Sequence, residues 1–361
     1  MKICVYAICK NEEQFVDRWY RSMSEADAVV VLDTGSTDGS VRRLLDLGAV
    51  VKQQIVDPWR FDVARNASME LIPPDTDICV CTDLDEFFEP GWRRLLEAAW
   101  LPGTTQARYR YTWNFNPDGS EGTVFLMEKT HAYGMFRWKH PVHEVLTYTG
   151  TLPQRTVTVQ GIQLNHRADP AKSRTSYLPL LELAVKEEPL DDRNVHYLGR
   201  EYMYRCRWDD AIATLQQHLA LPTALWADER AASMRYIGRC FLQKGQPELA
   251  KPWYYRSIAE APHLREPYVE LAQLLYAEGN WDGVIYLCRA ALDIADRPVS
   301  YICEAAAWGA LPWDLASLGY YHTGRLQLAE ECVQKAIALN PLDPRLGENL
   351  KIIRSKCIKA E

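Results

Sequence analysis

The sequence has no long apolar run, no C-x-x-C pair and no excess of basic charge, and each absence removes a class of function. The apolar start Ile3–Cys9 falls far short of the ~20 residues that cross a bilayer, and no small-residue cleavage site follows it. It reads as a strand, so no transmembrane segment is expected and the expected localisation is cytoplasmic. The ten cysteines are scattered, and the closest pair, Cys79 and Cys81, would share one face of a strand. That spacing argues against a zinc knuckle, and reduced thiols are the default without a secretion signal. Net charge is −7, and neither half of the chain is a basic module, which argues against sequence-independent nucleic-acid binding.

With 361 residues, 47% apolar and 25% charged, the chain can fill two cores. Its first part alternates strands and helices. Residues 3–9 are strand-like; Phe15, Val16, Trp19, Tyr20 and Met23 then recur at helical spacing. Residues 28–32 form a second buried strand, a helix carries Val41, Leu44 and Leu45, and Gly48 stands where a helix-ending glycine belongs. A third strand over 49–52, a helix over 61–71 and a fourth strand over 78–82 complete the series. This order predicts an α/β domain with a mainly parallel sheet and helices on both faces.

In such sheets ligands bind beyond the carboxyl ends of the strands. Polar clusters fall there: Lys10-Asn11-Glu12-Glu13 after the first strand, Asp33-Thr34-Gly35-Ser36-Thr37-Asp38-Gly39 after the second, Asp83-Leu84-Asp85-Glu86 after the fourth. Clustered carboxylates repel one another and lose solvation when partly buried. A divalent cation with a substrate diphosphate would relieve both, through the oxygen ligands that Mg²⁺ and Mn²⁺ prefer. The alternative is an acidic loop opening the next helix, with Glu86 or Glu89 near its start. Asp38 reads as a helix cap. Asp33 follows four apolar residues and could accept a base N–H or a ribose hydroxyl, or simply start a turn. Arg65 could reach the same pocket, or lie on a solvated helix face.

Together, Cys9-Lys10-Asn11-Glu12, Val31-Leu32-Asp33-Thr34-Gly35-Ser36-Thr37-Asp38, Ala64-Arg65-Asn66 and Thr82-Asp83-Leu84-Asp85-Glu86 resemble the motifs of family 2 glycosyltransferases of the GT-A fold. The resemblance covers roughly the first 170 residues. It implies a nucleotide-sugar donor (UDP by default), Mn²⁺ or Mg²⁺, and inversion at the anomeric carbon. By analogy Asp33 would hold the base, with Glu12 and Arg65 in the same donor pocket, Asp83 the ribose or metal, and Asp85 the metal and diphosphate. Many members carry two acidic residues where this chain has Asp33-Thr34; Thr34 marks a subgroup.

An inverting transfer also needs a base for the acceptor. Residues 108–113, 123–127 and 155–164 look like strands, and between them Phe136-Arg137-Trp138-Lys139-His140-Pro141-Val142-His143-Glu144 reads as one dense loop. Its His143-Glu144 resembles the pair that follows the D-x-D in related transferases. Glu144 is the expected base, with His143 its substitute or a phosphate ligand; the alternative is a Glu144 ion pair with Arg137 or Lys139. His166 suits the downstream histidine that completes the metal site in GT-A enzymes, or is structural. Trp113, Tyr133 and Trp138 could stack on a sugar or fill the core.

From about residue 176 the strand signal stops. Gly199, Gly238, Gly245, Gly279 and Gly324 recur with alanines and aromatics, and the best sets match a 34-residue tetratricopeptide pattern that ends at Pro262 and Pro341. Such repeats form an all-α solenoid that binds peptides or proteins, copies of itself included; a homodimer through the repeats is one expectation. Residues 298–311 read as an insertion, and Trp208, Trp226, Trp253, Trp281 and Trp308 as a partly exposed contact surface.

The sequence thus reads as a catalytic domain over 1–172 and a tetratricopeptide-like domain over 173–361, an arrangement similar to bacterial peptide glycosyltransferases of the sublancin type. That likeness implies a peptide or protein acceptor ahead of a glycan, a lipid or a nucleic acid. Two other readings stand beside it: a scaffold with a degenerate transferase domain, and a nucleotidyltransferase.

Overall fold

The computed structural model describes residues 1–116, 118–169 and 175–358, and the chain divides into two compact units, Met1–Glu187 and Glu188–Glu361. The expected boundary at 172/173 lies outside the described residues. The first unit runs β1 (Ile3–Cys9), α1 (Glu13–Met23), β2 (Ala28–Asp33), α2 (Ser40–Leu47), β3 (Val50–Gln53), α3 (Phe61–Met69), β4 (Ile78–Cys81), β5 (Glu86–Phe88), α4 (Trp92–Ala99), β6 (Gln106–Thr112), β7 (Val124–Ala132), β8 (Phe136–Lys139), β9 (Val145–Tyr148), β10 (Thr156–His166) and α5 (Tyr177–Glu187).

Eight strands form one sheet in the order β3-β2-β1-β4-β7-β6-β10-β5. The pairs β3–β2, β2–β1, β1–β4 and β6–β10 are parallel; β7 and β5 run against their neighbours. The sheet is mainly parallel because helices return the chain to the same edge for each of its first four strands. It is also curled. Five residue steps from Cys81 to Glu86 reach at most ~17 Å, whereas four flat strand spacings would need ~19 Å.

Alternation along β1 explains the two apolar layers. Ile3, Val5, Ala7 and Cys9 pack with Phe15, Val16 and Trp19 of α1, Leu44 of α2 and Trp92 and Leu96 of α4. Cys4 and Tyr6 face the other way, with Cys79, Cys81, Ile72, Met69 and Trp138. Helices therefore cover both faces.

Two local expectations need correction. The acidic run after β4 does not open a helix: it leads into β5, whose Glu86 pairs with His166 of β10. The dense segment 136–144 is only partly loop, because Phe136–Lys139 pairs antiparallel with Val145–Tyr148. Alternating burial of Phe136 and Trp138 against exposed Arg137 and Lys139 is the two-residue period of a strand, carried over only four residues.

The second unit is helical: α6 (Asp192–Tyr204), α7 (Trp208–Ala220), α8 (Ala227–Gln243), α9 (Pro247–Glu260), α10 (Glu266–Ala277), α11 (Trp281–Asp293), the short α12 (Ala305–Trp308), α13 (Leu311–His322), α14 (Leu326–Leu339) and α15 (Pro344–Ile358). The pairs α6/α7, α8/α9, α10/α11 and α13/α14 each pack across a short turn. Glycines permit the close approach: a Cβ on Gly199 would lie 2.6 Å from Leu215, and one on Gly238 would lie 2.9 Å from Tyr254. The 298–311 segment holds α12, and all five tryptophans named above are partly or largely exposed. Among the described residues no helix is long and apolar enough to cross a membrane.

Candidate active site

Because β2, β1, β4, β6 and β10 share one direction, Asp33, Glu12, Asp83, Trp113 and His166 all follow or end strands at the same edge of the sheet. Lys129 of β7 sits beside the end of β4, one step beyond the paired Val80 and Thr130.

Helix α3 delivers the central residue. Its start is fixed by the Phe61 N–H donating to the Pro141 carbonyl at 3.0 Å. One turn on, the Asn66 amide both donates to and accepts from the Trp138 backbone, at 2.9 and 3.0 Å. This clamp holds the β8–β9 loop over α3 and brings Glu144 to Arg65. Arg65 is buried, and it donates to Glu144, to Asp83 Oδ1 at 2.8 Å and to Cys81 Sγ at 3.3 Å. It also lies over the Trp138 ring at 5.1 Å. Glu144 thus pairs with neither Arg137 nor Lys139, and Arg65 lies on no solvated face.

Lys129 closes the network from the opposite side, donating to Asp83 Oδ2 at 2.9 Å and to Glu86 Oε1 at 3.1 Å. Burial alone would raise the Asp83 carboxyl, but Arg65 and Lys129 override it and hold it well below the usual range. Burial, helped by the Asp83 charge, pushes Glu86 upward. Glu86 also accepts the Tyr111 hydroxyl at 2.8 Å and the Asp83 N–H at 2.9 Å. Neither Lys129 nor the buried position of Glu86 was foreseen. The available signal was alternation: Lys129 keeps the two-residue spacing of Phe125, Met127 and His131 while Glu128 is exposed, and a lysine on a buried face needs a carboxylate partner.

Asp85 stands apart from this network. Its Oδ2 lies 3.2 Å from His166 Nε2, while His166 Nδ1 lies 2.7 Å from the Trp113 carbonyl. A carbonyl only accepts, so Nδ1 carries the proton that bonds it. In a neutral ring Nε2 is then a bare lone pair facing a carboxylate, which demands a proton or a metal ion between them. Burial disfavours the charged ring, yet Asp85 outweighs it and shifts His166 upward. The Nδ1–carbonyl bond is the usual way a metal-binding histidine is oriented. Trp113 stacks on His166 at 4.6 Å and remains 41% exposed; Tyr133 is exposed and Trp138 is core.

The other predicted residues lie toward β2. Asp33 is buried, two strands from β4, and its Oδ1 accepts the N–H groups of Gly35 and Ser36 at 3.2 and 3.1 Å and the Gln53 amide at 3.4 Å. Glu12 is buried at the start of α1, its N–H donating to Ser40 Oγ at 2.8 Å. Asp38 accepts the Ser40 N–H at 3.0 Å and the Ser40 hydroxyl at 2.6 Å, but it is not the cap expected of it: Gly39 is the residue that caps α2. His143, with φ of 51°, meets the Tyr177 ring edge-on at 5.8 Å.

No protein-family model matches the chain. A stretch of 99 residues is 28% identical to the lipopolysaccharide core biosynthesis glycosyltransferase LpsC of Rhizobium meliloti (strain 1021), covering 27% of this chain and 36% of that protein. The chain therefore spans about a third of the curated relative it matches. Among solved structures, MamA is 18% identical with a TM-score of 0.38, over 46% of this chain and 89% of MamA. YrrB, described as a TPR protein with an unusual peptide-binding site, is 17% identical with a TM-score of 0.38, over 49% of this chain and 82% of its own.

Proposed function

We propose that the chain is a metal-dependent, inverting glycosyltransferase of the family 2, GT-A type, joined to a tetratricopeptide-like domain. It moves a sugar from a nucleotide-sugar donor, a UDP-sugar by default, to a peptide or protein acceptor. The similarity of one stretch to a glycosyltransferase supports the reaction class. The observation that carries the reading is the Asp85–His166 pair, a carboxylate oxygen and an imidazole nitrogen 3.2 Å apart on the strand-end edge.

Asp85 and His166 fit a divalent cation, Mn²⁺ or Mg²⁺, which when bound neutralises the diphosphate as it leaves. Asp83 has both carboxylate oxygens occupied by Arg65 and Lys129, so its part is to position that strand end and meet the ribose. Asp33 and Glu12 line the nucleoside side; Asp33 ends β2, two strand spacings, ~10 Å, from the β4 end that carries Asp83, and Glu12 follows the intervening β1. Glu144 is the base: Arg65 holds its Oε1, leaving Oε2 to take the acceptor's proton. His143 turns toward Tyr177 instead, which favours Glu144 of the two.

The test is release of nucleoside diphosphate across a donor panel with Mn²⁺ or Mg²⁺, against an Asp85→Ala control. Metal-dependent release from one donor, lost in the control, is expected. Pyrophosphate as the product would make the chain a nucleotidyltransferase. No release together with no donor binding by calorimetry would leave the scaffold reading.

A further inference from the structure

The helical unit buries a second set of polar groups, remote in sequence from the strand-end carboxylates. His196 of α6 and His218 of α7 are fully buried, and Glu229 of α8 is 4% exposed. One ring nitrogen from each histidine and one carboxylate oxygen lie within 4.8 Å of one another. Ser233 is one turn beyond Glu229 on the same face of α8. Its hydroxyl bridges the two rings, 2.8 Å from His196 Nδ1 and 2.9 Å from His218 Nδ1. Tyr301 donates to Glu229 Oε2.

Hydrogen bonds alone do not complete this cluster. Ser233 has one proton to give, so at least one imidazole must donate from Nδ1 to its oxygen. His196 Nε2 has no partner in any tautomer, as a lone pair or as an N–H, and lies in a sealed interior. His218 Nε2 also lacks a hydrogen bond of acceptable geometry, although Glu229 Oε1 is 3.3 Å away. When both Nδ1–H groups donate to Ser233, two bare lone pairs and a carboxylate remain with no donor among them.

We propose that His196, His218 and Glu229 form a divalent-cation site of zinc class inside the helical unit, one that ties α6, α7 and α8 together. Two imidazoles and one carboxylate are a common zinc donor set. Ser233 and Tyr301 are the outer groups that orient such ligands. Arg193 and Arg200 stack on Tyr197 nearby, at 4.9 and 4.4 Å, and their charge offsets part of the carboxylate's pull. Affinity then rests on nitrogen ligation, which favours Zn²⁺ over Mg²⁺. With all three ligands buried, the role is structural.

The test uses the full-length chain with Asp85→Asn and His166→Gln, so that the candidate active site does not contribute. After chelator treatment and reloading, this protein should retain one equivalent of Zn²⁺ through gel filtration and gain several degrees in unfolding midpoint. Adding His196→Gln should abolish both effects while circular dichroism stays helical. If that variant fails to fold, Co²⁺ loaded into the parent decides, through visible bands of a four-coordinate nitrogen–oxygen site with no thiolate charge-transfer band. No retained Zn²⁺, retention in a folded His196→Gln protein, or a thiolate band would each overturn the site.

Discussion

Two buried ionic networks, one in each unit, show how charge is satisfied when it is structural and when it is not. In the helical unit Arg235 of α8 is fully buried and pairs with Glu270 and, at 3.2 Å, with Glu304; Arg239 pairs with the same two carboxylates at 2.7 Å. Two guanidiniums meet two carboxylates, and each carboxylate holds both. At the strand ends Arg65 and Lys129 likewise serve Asp83, Glu86 and Glu144. Asp85 differs: among the described residues its carboxylate has only His166 at ion-pair distance. A closed network needs nothing more, whereas a carboxylate facing a single imidazole nitrogen keeps an open side, the position the proposed function gives to a divalent cation.

The largest effect should come from the unclosed pair. Asp85→Ala should lower metal-dependent donor turnover about 10³-fold, ~4 kcal/mol of barrier, while the urea midpoint stays near that of the parent. Equal loss of turnover and stability would place Asp85 with the closed networks. Next comes Arg235→Leu, which removes the buried one of the two guanidiniums that Glu270 and Glu304 share. Breaking a buried pair from one side costs about 3–5 kcal/mol, read from equilibrium unfolding in urea. A small change there would mean that Arg239 alone satisfies Glu270 and Glu304. A lesser cost, about 1–3 kcal/mol of overpacking, is expected for Gly238→Ala, because the new methyl would meet the Tyr254 ring at 2.9 Å. Pairing it with Tyr254→Leu should recover part of the loss by thermal denaturation.

These differences were unequally legible in the sequence. Parallel strands with polar ends, and small residues at repeat spacing, are local patterns, and both appear in the structure. The networks are not local. Arg65 and Glu144 are 79 residues apart, and Lys129 meets Asp83 only because β7 inserts antiparallel between β4 and β6. Strand order is set by packing across the whole sheet, which periodicity does not encode. The β8–β9 hairpin stayed hidden because each of its strands is only four residues long, the shortest run in which alternation is legible. His196 and His218 gave no sequence signal, because a histidine on a helix announces a partner only when the facing helices are known.

The smallest effect compares the turns of the helical hairpins. Gly245, Gly279 and Gly324 have φ of 70°, 71° and 76°, and each turn closes with two backbone bonds, such as Gly324 N–H to Tyr321 at 3.2 Å and Arg325 N–H to Tyr320 at 2.9 Å. The first hairpin makes the same pair of bonds, Cys206 to Met203 at 3.0 Å and Arg207 to Tyr202 at 2.9 Å, but with cysteine at φ of 58°. A left-handed backbone crowds any Cβ, at a cost of about 1–2 kcal/mol, which glycine avoids. Cys206→Gly should therefore stabilise the helical unit by about 1 kcal/mol, the gain offset in part by the freer unfolded chain. Gly324→Ala, with no neighbour within 4 Å of the new methyl, should lose a similar amount for the same reason. Opposite shifts of the urea midpoint would assign both effects to backbone conformation, since the methyl at position 324 meets no neighbour and the Cys206 side chain is exposed. A Cys206→Gly protein less stable than the parent would mean that this exposed side chain contributes more than its backbone strain removes.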